Sequence, residues 1–217
     1  MAGHLLPLFP LNVVLFPHMP LPLHIFEPRY RQMLADCLEE GHSFGVVAIR
    51  EGQETGPAVP FEIGTLANIM RIDRLEDGRV NLLVAGASRF EILETNSERP
   101  YLRGRIRIML EAGDEAEATA GLTENTALAF REYAKLLREL VGQAVEEPEA
   151  PIEPELLSDL IAAALNLQVP EKQQLLATAR TDDRLRLELR LLRKEIVLLK
   201  QMVAHAAVAG TARTSLN

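Results

Sequence analysis

Six of the thirteen prolines fall within the first 28 residues, at Pro7, Pro10, Pro17, Pro20, Pro22 and Pro28, interleaved with Leu, Val and Phe. A proline has no backbone N–H to donate and clashes with the preceding helical turn, so the stretch up to Pro28 has to run extended. Within sheets, proline is confined to edges, strand starts and bulges. Leu5 to Leu8, Val13 to Phe16 and Leu21 to Leu23 are therefore predicted as short strands joined by kinked connections. Pro28 suits the first position of a helix, in which Tyr30, Leu34 and Leu38 recur at helical spacing until Gly41. Glu27 and Arg31 are spaced to pair across one turn of it.

Beyond Gly41 the period changes to that of strands. Phe44 to Ile49 is an apolar strand, and Glu51 to Pro60 is a Gly-, Pro- and acid-rich surface loop. Leu66 to Ile72 and Arg79 to Ala85 flank Glu76-Asp77-Gly78, and Asp-Gly between β-rich runs signals a hairpin. Arg89 to Leu93 and Tyr101 to Leu110 complete the set. Several short strands with one early helix predict a small, partly closed β-barrel. The stretch from Glu111 to Gly121 loses this pattern, and helical spacing follows it.

Thr123 is positioned to cap a helix bearing Phe130, Tyr133, Leu137 and Leu140 on one stripe. After the acidic, proline-rich connection from Glu146 to Pro154, short helices are expected over Glu155 to Leu165 and Pro170 to Ala179. A long helix is expected from about Thr181. In it Leu185, Leu189, Leu192, Ile196, Leu199 and Val203 recur at alternating spacings of four and three, which is an a/d seam. A seam of under three heptads is expected to pack on the chain's own helices, so a monomer is expected rather than a coiled-coil dimer. The expectation is an α+β chain: a β-barrel domain over 1–115, a helical bundle over 116–209 and a flexible tail at 210–217.

The balance of 23 basic and 31 acidic residues gives a net charge of -8. That total argues against a field attracting nucleic acid or anionic membrane. Cys37 is the single cysteine, so no internal disulfide and no multi-cysteine metal cage can form, and it is expected in the core. No apolar run approaches the ~20 residues of a membrane span. A soluble, cytoplasmic protein is expected.

No phosphate loop, HExxH or GxSxG occurs, so no catalytic, cofactor-binding or metal-ligating residue is assigned. His18 and His24 lack a third ligand, and Ser43 beside His42 is not by adjacency a nucleophile with its base. Two candidate surfaces remain. Leu21, Leu23, Ile25 and Phe26, leading into Glu27, Arg29 and Arg31, form an apolar segment with a charged border, which suits peptide-like ligands. Arg103, Arg105 and Arg107 alternate along one strand and form a possible anion stripe. Pairing with Glu91 and Glu94 on a neighbouring strand is the simpler expectation for that stripe.

The run Leu6-Pro-Leu-Phe-Pro-Leu-Asn-Val-Val-Leu-Phe-Pro-His-Met-Pro-Leu-Pro-Leu-His-Ile-Phe-Glu-Pro-Arg-Tyr-Arg31 resembles the opening of the Lon protease N-terminal, substrate-binding domain family. Phe44-Gly-Val-Val47, Ile63-Gly-Thr65, Asp77-Gly-Arg79, Gly86, Arg89-Phe90 and Pro100-Tyr-Leu102 follow in the family's order. Leu157-Ser-Asp-Leu160 and Glu171-Lys-Gln-Gln-Leu-Leu176 resemble its helical extension. Many stand-alone relatives carry Gly where His18 stands. The resemblance implies a PUA-like barrel followed by a helical bundle, acting as a non-catalytic module for unfolded or peptide-like protein segments. It also implies a stand-alone member without the ATPase and peptidase. An adaptor or chaperone-like role in protein quality control fits it. An RNA-associated PUA-like protein and an unrecognised hydrolase are the alternatives.

Overall fold

The structure is a computed structural model and describes residues 5–41, 43–110, 116–141, 150–151 and 153–214. It is an α+β chain of six strands and five helices. Two compact units form: residues 1–111 with 162–179, and residues 112–161 with 180–217. Residues 162–179, placed with the helical bundle on sequence grounds, thus group with the sheet.

In the first unit β1 (Leu6–Leu11), β2 (Pro20–Ile25), β3 (Ser43–Gly52), β4 (Ala58–Arg74), β5 (Val80–Asn96) and β6 (Arg103–Ile108) make one sheet. Its order is β2-β5-β4-β3-β1-β6, with β5 also paired to β6. Five strands therefore close into a ring through β5, and β2 is appended outside it. Closure is possible because β5 is one continuous strand of 17 residues, its first half pairing β2 and its second half β6. Two separate strands were expected there; the residues joining them, 86–88, keep extended geometry.

The ring interior is small. Leu8, Val47 and Phe90 fill it, and Gly45 and Gly64 lie against Phe90 so closely that a Cβ on either would come within 2.7 Å of the ring tip. The glycines of Phe44-Gly-Val-Val47 and Ile63-Gly-Thr65 thus make room for the phenylalanine of Arg89-Phe90.

A second, larger core lies between the sheet and α1 (Pro28–Glu40), where Phe9, Tyr30, Met33, Cys37, Phe44 and Val84 pack together. Tyr101 joins it and donates its hydroxyl to Asp36. That bond, aided by Gln32 and Arg99, holds the Asp36 carboxyl below its ordinary value.

The predicted strand from Val13 to Phe16 is absent. Leu15 and Phe16 are buried, but the backbone turns at Pro17-His18, where His18 takes φ 62°. The amide of His18 donates to the Gly86 carbonyl and the amide of Gly86 to the Met19 carbonyl, both at 2.9 Å. Hydrogen bonding is thus spent anchoring a kink to β5, not building a strand. Glu27 pairs with Arg29 at 2.9 Å instead of with Arg31, because Arg29 is drawn inward over the Tyr30 ring, 4.5 Å from its centroid.

α4 (Val169–Ala177) belongs to this unit. Gln173 donates to the Ile63 carbonyl at 2.8 Å, and buried Arg89 donates to the carbonyls of Leu176, Thr178 and Ala179 at 2.9, 2.6 and 3.1 Å. The last carbonyls of a helix lack intrahelical partners, and a guanidinium satisfies several at once while complementing the helix dipole.

The second unit contains α2 (Ala116–Val141), most of α3 (Pro154–Ala164) and α5 (Thr181–Thr214). Thr123 lies inside α2 and does not cap it. The buried stripe is Thr126, Ala129, Phe130, Tyr133 and Leu136, with Leu137 exposed. The seam of α5 packs on α2: Leu185, Leu192, Ile196 and Leu199 are buried, Leu189 and Val203 half-buried. Lys200 and Glu132 pair across the two helices at 2.6 Å. The helix covers residues 210–214 of the expected tail, and residues 215–217 lie outside the described residues, as do His42 and most of the Glu146 to Pro154 connection.

Candidate functional site

In β2, Leu21, Leu23 and Ile25 face inward onto the larger core, while Pro20, Pro22 and His24 face outward. Strand alternation dictates this split. It moves the accessible apolar surface from the leucines to the residues between them and to Phe26, which is 52% exposed. Pro22 stands opposite Leu83 of β5, and His24 opposite Asn81. Leu83 and Asn81 in turn stand opposite Arg71 and Asp73 of β4. The register of β4 slips between Ile69 and Arg71, and the intervening Met70 is 65% exposed.

Pro22 and Leu83 line a shallow groove of about 330 Å³ together with Leu23, His24, Arg71, Asp73 and Asn81. Phe26 and Met70, both exposed, lie outside the lining, Phe26 against His24 and Met70 next to Arg71 in the chain. His24 stacks on Phe26 with ring centroids 6.1 Å apart, and its Nδ1 lies 2.7 Å from the Asn81 amide oxygen. In the tautomer with its proton on Nδ1, the ring donates to Asn81 and Nε2 is left as an acceptor. Arg71 and Asp73 pair at 2.9 Å on the rim.

Only β5 pairs with β2, so its other edge has no strand partner among the described residues. In an antiparallel ladder, side-chain face and hydrogen-bonding direction alternate together. Because Gly86 and Met19 occupy a hydrogen-bonded position, the nitrogens of Pro20 and Pro22 point to the open edge. That edge offers few donors.

The other sequence candidates lie away from this groove. Glu27 and Arg29 are half-buried, and Arg29 donates to the Glu54 carbonyl at 2.5 Å, fastening the 51–60 segment. Arg31 is exposed above the β4–β5 turn. Arg107 pairs with Glu91, Arg105 with Glu94 at 3.0 Å and Arg103 with Glu98 at 3.5 Å, so the stripe is neutralised along its length. In the sequence the apolar signal of this segment lies in its bulkier leucines, whereas the structure turns Pro22, Leu83 and Met70 outward. The alternation within Pro-Leu-Pro-Leu-His-Ile carried the information.

In the second unit, Ser158 donates to Glu188 at 2.9 Å and Arg184 lies 3.6 Å from Asp159, all four buried. Burial pushes the Glu188 carboxyl up to about 8. The cluster is closed to a substrate. Among the described residues no group of three His, Cys, Asp or Glu side chains is placed to hold a metal, and no helix is long and apolar enough to cross a membrane.

A ring of five strands with an appended outer strand, together with five helices, makes an α+β fold with an apolar groove on the outward face of β2, β5 and β4. The chain belongs to the ATP-dependent protease La (LON) substrate-binding domain family, whose pattern matches residues 5–194. It is 33% identical over 216 residues to a Lon protease of Anaeromyxobacter dehalogenans and 32% identical over 215 residues to Lon protease 2 of Myxococcus xanthus. Each match covers 96% of this chain and 26% of the protease, so the chain spans about a quarter of those relatives. A solved Lon N-terminal domain protein from Xanthomonas campestris is similar with a TM-score of 0.64 and 28% identity, over 86% of this chain and 98% of that one. The N-terminal domain of a Mycobacterium avium complex Lon protease shares the fold, with a TM-score of 0.69 at 20% identity over 88% and 98%.

Proposed function

We propose that the chain is a non-catalytic recognition module that binds exposed apolar stretches of other polypeptides on the outward face of β2, β5 and β4. The observation that carries this reading is the groove lined by Pro22 and Leu83, with Arg71 and Asp73 paired beside them and the exposed Phe26 and Met70 on neighbouring positions. An apolar centre within a polar border excludes water from the contact while keeping the free surface soluble. Membership of a family described as substrate-binding supports the same reading. An adaptor or chaperone-like task in protein quality control follows if the bound stretches are those that folding normally hides.

The test is a titration of the whole chain with a fluorescently labelled, permanently unfolded polypeptide, followed by anisotropy. Replacing Phe26→Ser together with Met70→Glu is expected to weaken binding by about tenfold or more, since truncating a central apolar contact typically removes over 1 kcal/mol. Both side chains are exposed, so circular dichroism should be unchanged. Binding by the double variant as tight as that of the parent would refute the assignment of the surface.

A further inference from the structure

A second groove of about 260 Å³ lies between α1 and the turn joining β4 to β5. Its α1 wall is Arg31, Leu34, Ala35 and Leu38, the i, i+3, i+4, i+7 positions of a single helix face. Its other wall comes from Arg74 to Val80. Leu34, Leu38, Leu75 and Val80 give it an apolar floor, and all three charged residues lining it are arginines.

Arg79 is engaged, its Nε lying 2.6 Å from Asp77, while its Nη1 stands 3.5 Å from His24 Nε2 at the margin of the first groove. Neither Arg31 nor Arg74 forms an ion pair with a described residue; Arg31 makes one long contact, 3.5 Å, to the Gly78 carbonyl. Two uncompensated cations above an apolar floor are unexpected on a chain of net charge -8, whose 31 carboxylates could have neutralised them. Elsewhere in this unit exposed arginines are neutralised, as the β6 stripe shows.

We infer that this groove holds the acidic flank of a bound polypeptide, seating an apolar side chain on Leu34, Leu38 and Val80 and a neighbouring Asp or Glu at Arg31 and Arg74. The inference rests on the polypeptide-binding reading and specifies its substrate class: apolar segments bordered by acidic residues. Charge complementarity selects the acid, and the floor selects the apolar neighbour. A nucleic acid fits less well, because the groove presents leucines and no aromatic ring on which a base could stack.

The experiment compares three C-terminally amidated peptides with one apolar centre and flanks of Asp, Asn or Lys, binding to the whole chain at low and at physiological salt. Asp flanks are expected to bind about fivefold tighter than Asn flanks at low salt, less at physiological salt, and Lys flanks weakest. Arg31→Glu with Arg74→Glu should reverse the order, and Arg31→Gln with Arg74→Gln should level it, both with unchanged circular dichroism. Equal affinity for all three peptides, or an order unaltered by either double variant, would overturn the groove assignment and leave polypeptide binding standing. No binding of any peptide would overturn both. Displacement of the Asp peptide by an oligonucleotide more readily than by its own unlabelled form would reassign the groove to nucleic acid.

Discussion

Replacing Arg89 with methionine keeps the length and apolar stem of the side chain and removes the guanidinium. Arg89 is 2% exposed and holds three carbonyls just beyond or within the last turn of α4. Hydrogen bonds from a charged donor contribute about 1.5–3 kcal/mol each, but part of that sum is offset by the desolvation of the guanidinium, which the variant no longer suffers. Removing one side of a buried charged network typically destabilises by about 3–5 kcal/mol, and Arg89→Met is expected in that range. Whole domains have only about 5–15 kcal/mol to lose. Urea denaturation should show a lower midpoint at an unchanged slope. Hydrogen exchange should quicken in the α4 amides, since these bonds fasten the helix end to β5. Arg89→Lys should recover only part, because one ammonium cannot span three diverging acceptors. A loss under about 1 kcal/mol, or α4 exchange as slow as in the parent, would refute the reasoning.

Three further outcomes are expected. The folded Glu188 carboxyl titrates near 8 against an ordinary value of 4.5, so the folded state keeps a proton that the unfolded state gives up. Its penalty is absent below about pH 4.5 and grows as pH rises toward 8; Glu188→Gln should therefore stabilise the chain at pH 8 by on the order of 3 kcal/mol relative to its effect at pH 5, and equal effects at the two pH values would contradict this. His18→Gly should raise the melting temperature by a few degrees, because a side chain at φ 62° carries roughly 1 kcal/mol of strain that glycine lacks; a lower melting temperature would show that the imidazole contributes more than the strain removes. Gly86→Ala should lower stability by at least about 2 kcal/mol, since its Cβ would stand 2.2 Å from the Phe16 carbonyl oxygen, and an unchanged urea midpoint would show that the kink can shift freely.

What the sequence disclosed depended on whether a signal was local. Pro28 and Gly41 delimit α1, and Asp77-Gly78 marks the β4–β5 turn, because each feature acts within a few residues of itself. The joining of β5 into one strand was hidden, since residues 86–88 carry no β signal and Gly86 is held by distant partners, His18 and Met19 at the kink and Ala67 of β4. The role of Arg89 was equally hidden: its acceptors lie 87–90 residues away. At the candidate site, the segment from Leu21 to Phe26 was visible, but the face it offers was settled by alternation about a core that only the tertiary structure supplies. The same holds for α2, which packs on α5 and in which Leu136 and not Leu137 is buried.

The prolines of β2 also limit how anything can be held at its open edge. A client strand laid against this edge would find Pro20 and Pro22 where donors should be, and so could not be zipped into the sheet backbone to backbone. Contact with a polypeptide of the proposed kind would be left to side chains. Chains with exposed apolar stretches are also those most prone to templated sheet growth. If this chain binds them as proposed, it gains from an edge that cannot become the next layer of an aggregate.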